Sequence, residues 1–208
     1  MSAATRGRLL ERGLRLEYLT VGWNIAEGLV AVGAGVLAGS IALIGFGVDS
    51  FVETISGFVL IWRLRAEAFG GADEERIERV EQRARRLVAI SFLVLAGYVA
   101  FEAVRTLAAQ DQPDASPMGI ALTAVSLVVM LWLARAKRVT GEALRSRALI
   151  ADSHQTFACW YLSATTLAGL ALNAALGLWW ADPIAALVIA VILLREAREA
   201  WRGEDDDA

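Results

Sequence analysis

IALIGFGVDSFVETISGFVLIW, residues 41 to 62, places two acidic side chains, Asp49 and Glu53, inside an otherwise apolar run of membrane-spanning length. A helix needs about 20 mainly apolar residues to cross a hydrocarbon core of roughly 30 Å. Outward from this run, five more stretches have that character, at about 17–38, 87–108, 118–134, 148–172 and 179–195, the fourth being the shortest. With 57% hydrophobic residues and a mean hydropathy of +0.51, the chain is composed for lipid rather than water. The prediction is an all-α membrane protein, a bundle of six transmembrane helices. The first apolar run is too long for the core of a signal peptide, so it is read as the first span.

The basic residues set the orientation. Nineteen of the twenty Arg and Lys fall before the first span, between the second and third, between the fourth and fifth, or after the sixth. The exception is Arg105, at the end of the third span. Positive charge is retained on the cytoplasmic side, so both termini and Lys137 are expected there and Asp111 outside. Residues 1–16 form a cytoplasmic N-terminal segment, 17–202 the transmembrane domain and 203–208 an acidic tail. Asp73 to Arg86 reads as a solvated helix supported by Glu75 and Arg79 at i,i+4. Asp111, Pro113, Asp114, Ser116 and Pro117 mark an irregular loop. Ala31, Gly35 and Gly39, four residues apart, are small enough to let helices approach closely in lipid. Nothing in this charge distribution implies a nucleic-acid partner.

Ionisable residues inside a span cost roughly 2.5–3.5 kcal/mol at its centre and usually serve function. Asp49 and Glu53 stand about 40° apart on a helix, so both carboxylates share one face. Two anions there repel, and without a cation one of them must hold a proton. In the fifth span, ADSHQTFAC spaces Asp152, Gln155 and Cys159 along one stripe. Carboxylate, amide oxygen and thiol all bind metals, although Cys is also a common buried hydrophobe and Gln a helix–helix hydrogen-bonding residue. His154, the only histidine, points about 100° from Gln155, which suits packing or support of the site better than ligation. Asn24 and Glu27 on the first span face the same interior, as hydrogen-bonding partners or part of an ion path. Glu102 and Arg105 are expected to neutralise each other. Asp182, ahead of Pro183, is expected to cap its own helix.

Three segments carry a family resemblance: GSIALIGFGVDSFVETISGFVL (39–60), LIADSHQTFACWYLSA (149–164) and WADPIAALVIAVILLREA (180–197). Over about residues 17–202 the chain resembles the cation diffusion facilitators. That resemblance implies six spans, cytoplasmic ends and a metal site made by the second and fifth spans. Asp49 and Glu53 match the family's paired acidic residues, while Gln155 and Cys159 stand where it usually has a His and an Asp. The implied metal ligands are Asp49, Glu53, Asp152, Gln155 and Cys159, and the implied chain is a minimal member without the cytoplasmic C-terminal domain. A thiolate in the set favours Zn, with Mn and Fe the oxygen-loving alternatives.

The functional expectation is export of a divalent, Zn-like cation by proton antiport through a site that opens alternately to each side. Metal ion, protons and lipid are the expected partners, along with a second copy of the chain in a homodimer, in a plasma (inner) membrane. No prosthetic group is expected. The competing reading is a six-span structural or metal-sensing subunit that has lost transport, suggested by the altered fifth-span ligands. An enzyme is disfavoured, because Cys159 has only His154 as a conceivable base.

Overall fold

A computed structural model describes residues 3–69 and 74–202. It has six helices, α1 (Ala3–Ala38), α2 (Ile41–Phe69), α3 (Glu74–Ala109), α4 (Pro117–Leu144), α5 (Arg147–Leu176) and α6 (Ala181–Arg202). The outer faces carry Leu29, Val36, Leu87, Val94, Phe101 and Val128, all more than half exposed. A water-facing surface would not present so much contiguous apolar area, whereas lipid tails solvate it. Five helices, α1 to α5, are long and apolar enough to cross a membrane. The sixth is the shortest. Its apolar stretch from Pro183 to Leu194 is twelve residues, bounded by Asp182 and by the charges Arg195 to Arg202, within a helix of 22 residues. It belongs to the bundle through Ala186, Ile189, Leu193 and Ala197, all buried in the core.

α2 is the central element, touching α1, α3, α5 and α6, while α1 also packs on α4, α4 on α5 and α3 on α6. α1 and α2 come closest because glycines leave the room. A Cβ on Gly47 would lie 2.8 Å from both Ala31 Cβ and Val32 N, and one on Gly35 would lie 2.9 Å from Ile44 N. Ala31 and Gly35 thus act as the sequence suggested, but Gly39 does not. It has φ +67° with nothing within 4 Å of its would-be Cβ. It ends α1 in the left-handed cap, with Ser40 N donating to Gly35 O at 3.0 Å.

One end of the bundle is tied by its connections. Asp114 N donates to Ala38 O at 2.8 Å, and Asn173 Nδ2 to Pro113 O at 2.8 Å. Asp182 caps a helix there, but not its own. Lying in the first turn of α6, its carboxylate accepts from Ser40 Oγ and from Ile41 N at 3.0 Å, satisfying the start of α2. Ser40 Oγ in turn accepts from Leu43 N at 3.1 Å. The loop at 111–116 is irregular as expected and closes on Ser116, which caps α4 by accepting from Gly119 N at 3.1 Å. At the opposite end α3 runs unbroken from its charged start into the bundle, with Arg79 Nε on Glu75 O at 3.2 Å. Asp73 and the acidic tail lie outside the described residues.

The orientation yields a direct prediction. A cysteine at position 111 is expected to react with an impermeant maleimide in intact cells, and one at the exposed position Arg138 only after permeabilisation. Equal labelling of position 138 in intact cells would reverse the topology. Lys137 is no probe of this, since its side chain is fully buried rather than solvated.

Candidate metal centre

Asp49 and Glu53 lie on the inner face of α2, with residue exposures of 2% and 6%, and Cys159 lies on the facing stripe of α5 with none. A carboxylate oxygen of each acid and the Cys159 Sγ all lie within 4.8 Å of one another. Ligands around a tetrahedral Zn stand roughly 3.3–3.7 Å apart, given Zn–O and Zn–S lengths of about 2.0–2.3 Å. Among the described residues no Lys, Arg or His comes within 4.0 Å of either carboxylate. The pair therefore has no positive charge in direct contact, in a place where lipid supplies none.

The first helix backs this face. Asn24 Nδ2 donates to Glu53 Oε2 at 2.9 Å, and the amide's other end, Oδ1, is buried with no hydrogen-bond partner. Glu27 accepts from Ser50 Oγ at 3.0 Å and from Trp23 Nε1 at 3.1 Å. Both residues reach the interior that the sequence assigned them. Asn24 fixes one Glu53 oxygen, and Glu27 engages α2 one residue from Asp49.

The other fifth-span candidates engage other partners. Gln155 is one turn from Cys159, with Oε1 accepting from Ser56 Oγ at 3.1 Å and Nε2 buried without a partner. Asp152 is two turns away and bonds to the Lys137 ammonium. His154 points outward and is exposed, so it neither joins nor supports the centre, contrary to its expected packing role. Glu102 and Arg105 pair as expected, at 2.8 Å.

Two residues of consequence escaped the sequence reading. Lys137 on α4 has a fully buried side chain, 3.2 Å from Glu17 Oε1 and 3.2 Å from Thr156 Oγ1 as well as bonded to Asp152. Glu17 is equally buried. The signal was present in the pattern. Lys137 shares a stripe with Met130, Leu133, Ala134, Gly141 and Leu144, all buried, and Glu17 with Thr20, Asn24, Glu27 and Ala31.

Comparison with known proteins places this arrangement in context. The chain is similar to an uncharacterized transporter of the cyanobacterium Synechocystis, 29% identical over 81% of this chain and 55% of the relative. It is also similar to transmembrane protein 163 of Xenopus laevis, 22% identical over 68% of this chain and 49% of the relative. The chain thus spans about half the length of the curated relatives it matches. The family described as the cation efflux transmembrane domain matches residues 19–202, and with that extent of agreement the chain belongs to the cation efflux, or cation diffusion facilitator, family.

Proposed function

We propose that this protein carries divalent metal cations across a membrane through a site built by Asp49, Glu53 and Cys159, with Zn as the preferred ion. One observation carries the reading. Three buried groups that become anionic ligands converge within 4.8 Å from two helices, with no Lys, Arg or His of the described residues within 4.0 Å of either carboxylate. Metals bind such groups in deprotonated form, so loading expels protons and unloading recovers them. Proton antiport is the consequence, and an inward proton gradient then drives metal outward across the plasma membrane. Alternate opening of the bundle to each side completes the cycle. Gln155 is the fourth ligand in this reading. Turning its amide about the terminal torsion leaves Ser56 Oγ an N–H to accept from and frees the oxygen. The oxygen and thiol donors then match Zn better than harder ions, with Mn and Fe as weaker cargo.

The deciding experiment measures metal uptake and proton counterflow in proteoliposomes over a panel of Zn, Cd, Mn, Fe and Co. Saturable, metal-dependent proton flux supports the reading. Tight binding without flux would replace it by a metal-sensing subunit of the same fold.

Cys159→Ser tests the thiolate. The hydroxyl does not ionise near neutral pH, so Zn and Cd affinity is expected to fall by roughly 10–100-fold while Mn changes less. His154→Ala is expected to change neither, because the ring faces away from the centre. Isothermal titration of both variants checks the pair. Loss of binding in His154→Ala with a silent Cys159→Ser would mean that the ligating face of α5 is the other one.

A further inference from the structure

The Glu17–Lys137–Asp152 cluster is not a balanced ion pair. Two carboxylates, from α1 and α5, face one ammonium from α4, and Glu17 and Lys137 have no exposure at all. A buried pair serving stability alone is best matched one to one, since surplus charge in the interior is strongly unfavourable. Fully ionised, the group would carry one surplus negative charge, which a proton on Glu17 offsets while the ammonium is in place, and a divalent cation in place of both would neutralise the two carboxylates. Lys137 Nζ donates to Glu17 Oε2 at 3.2 Å, and Glu17 Oε1, at the same distance from that nitrogen, makes no hydrogen bond of its own. The Thr156 hydroxyl, 3.2 Å from the same nitrogen, completes an all-oxygen lining.

Its place in the fold is equally specific. Glu17 precedes Asn24 by seven residues on α1 and Asp152 precedes Cys159 by seven on α5, so the cluster lies about 10 Å along the bundle from the centre on both helices. Between the two levels stand Ser56 and Gln155, whose Nε2 is buried and unpartnered. α2 presents Gly57 near the cluster, where a Cβ would meet Val21 Cγ2 at 2.7 Å and Glu17 Oε2 at 3.9 Å. Ser56 and Gln155 are thus the polar pair at the level between the cluster and the centre.

We propose that Glu17, Asp152 and Thr156 form a second seat for a divalent cation on the path to Asp49, Glu53 and Cys159, occupied by the Lys137 ammonium as a tethered plug that incoming metal displaces. Its all-oxygen lining takes hard divalent ions such as Mn as readily as Zn. The path rests on the transport reading above, whereas the seat is measured by binding alone.

The test uses the full chain in detergent with Mn as probe and equilibrium dialysis as readout. Asp49→Asn/Glu53→Gln removes the centre and leaves Mn to compete with the ammonium for the seat, so it is expected to bind Mn only weakly. Adding Lys137→Met is expected to restore one Mn per chain, and adding Asp152→Asn to that variant to abolish it. A Lys137→Met chain that aggregates without metal and is monodisperse with it counts for the seat. Aggregation in both conditions, or no Mn bound by the folded variant, overturns it. The second arm is Lys137→Arg in the otherwise native chain, where a guanidinium forks both carboxylates and plugs more firmly. Zn uptake is expected to slow at least ~10-fold, with equilibrium Zn binding at the centre unchanged. Unaltered uptake would overturn the plug. A native chain that binds metal but moves none sinks the transport reading and leaves the Mn stoichiometry to decide the seat.

Discussion

Asp49→Asn with Glu53→Gln is expected to lower metal transport by roughly 100-fold or more while leaving a folded, inserted protein. The amides nearly match the carboxylates in volume and keep their hydrogen-bonding ability. Gln at position 53 can still engage Asn24 Nδ2 through its oxygen. What disappears is the negative charge that attracts a cation and the groups that exchange protons for it. Were the pair structural, the order of effects would reverse. Removing unneutralised buried charge would leave stability unchanged or raised, with no specific change in flux. Metal uptake and proton counterflow in vesicles, with monodispersity in detergent as folding control, separate the outcomes. Undiminished transport by the folded double variant would sink the assignment of the centre.

Gly47→Val is expected to cost the most stability of any single change in the α1–α2 contact. Even the first added carbon would sit 2.8 Å from Ala31 Cβ and from the backbone nitrogen of Val32. Neither is the end of a flexible chain, so the helices themselves must separate. Overpacking of this kind costs about 1–3 kcal/mol for the first methyl groups, and valine adds two more carbons in a contact that depends on close backbone approach. Because Gly47 is two residues from Asp49 and the displaced helix carries Asn24, the same change should loosen the hold on Glu53. Gly97→Ala is the matched control. Nothing lies within 4 Å of its would-be Cβ, and alanine gains about 1 kcal/mol in helix propensity. Thermal melting of both variants in detergent, alongside metal titration, reads the two effects. A Gly47→Val protein as stable as its parent would mean that α1 and α2 are not in close backbone contact.

The helices and the carboxylate pair were legible in the sequence because each leaves a local trace. Apolar runs of about 20 residues separated by charge announce spans, and two acids four apart in such a run announce a shared face. Asn24 and Glu27 followed from the same periodic reasoning. Lys137 did not, because a basic residue just beyond an apolar run is counted with its neighbours as solvated charge, while its burial depends on Glu17 and Asp152 from two other helices. Asp152 was drawn toward the metal by its spacing from Cys159, and only the neighbouring helix reveals its partner. Asp182 presents the sequence of a helix start, and the short-range reading missed that the start it satisfies belongs to a helix 140 residues earlier in the chain. Gly39 looked like a packing residue because four-residue spacing does not register where a helix stops. α6 was legible as a helix from its apolar middle, although the charges at its ends confine that middle to twelve residues.

The Asp182 link joins α6 to the first turn of α2, and α3 packs along α6. Mechanically this is a hinge at one end of a pair of rods. From Asp182 to Arg202 the rod is twenty residues, about 30 Å. A swing of about 10° about the pinned end displaces the far end by roughly 5 Å, yet moves residues near the pin by less than 1 Å. The α3–α6 pair is thereby a lever whose travel is smallest where the connections are knotted together and largest beside the charged ends of the chain. In the alternate opening proposed above, opening on that side would need no broken bond at Asp182, whereas opening on the other would require the pin itself to be drawn.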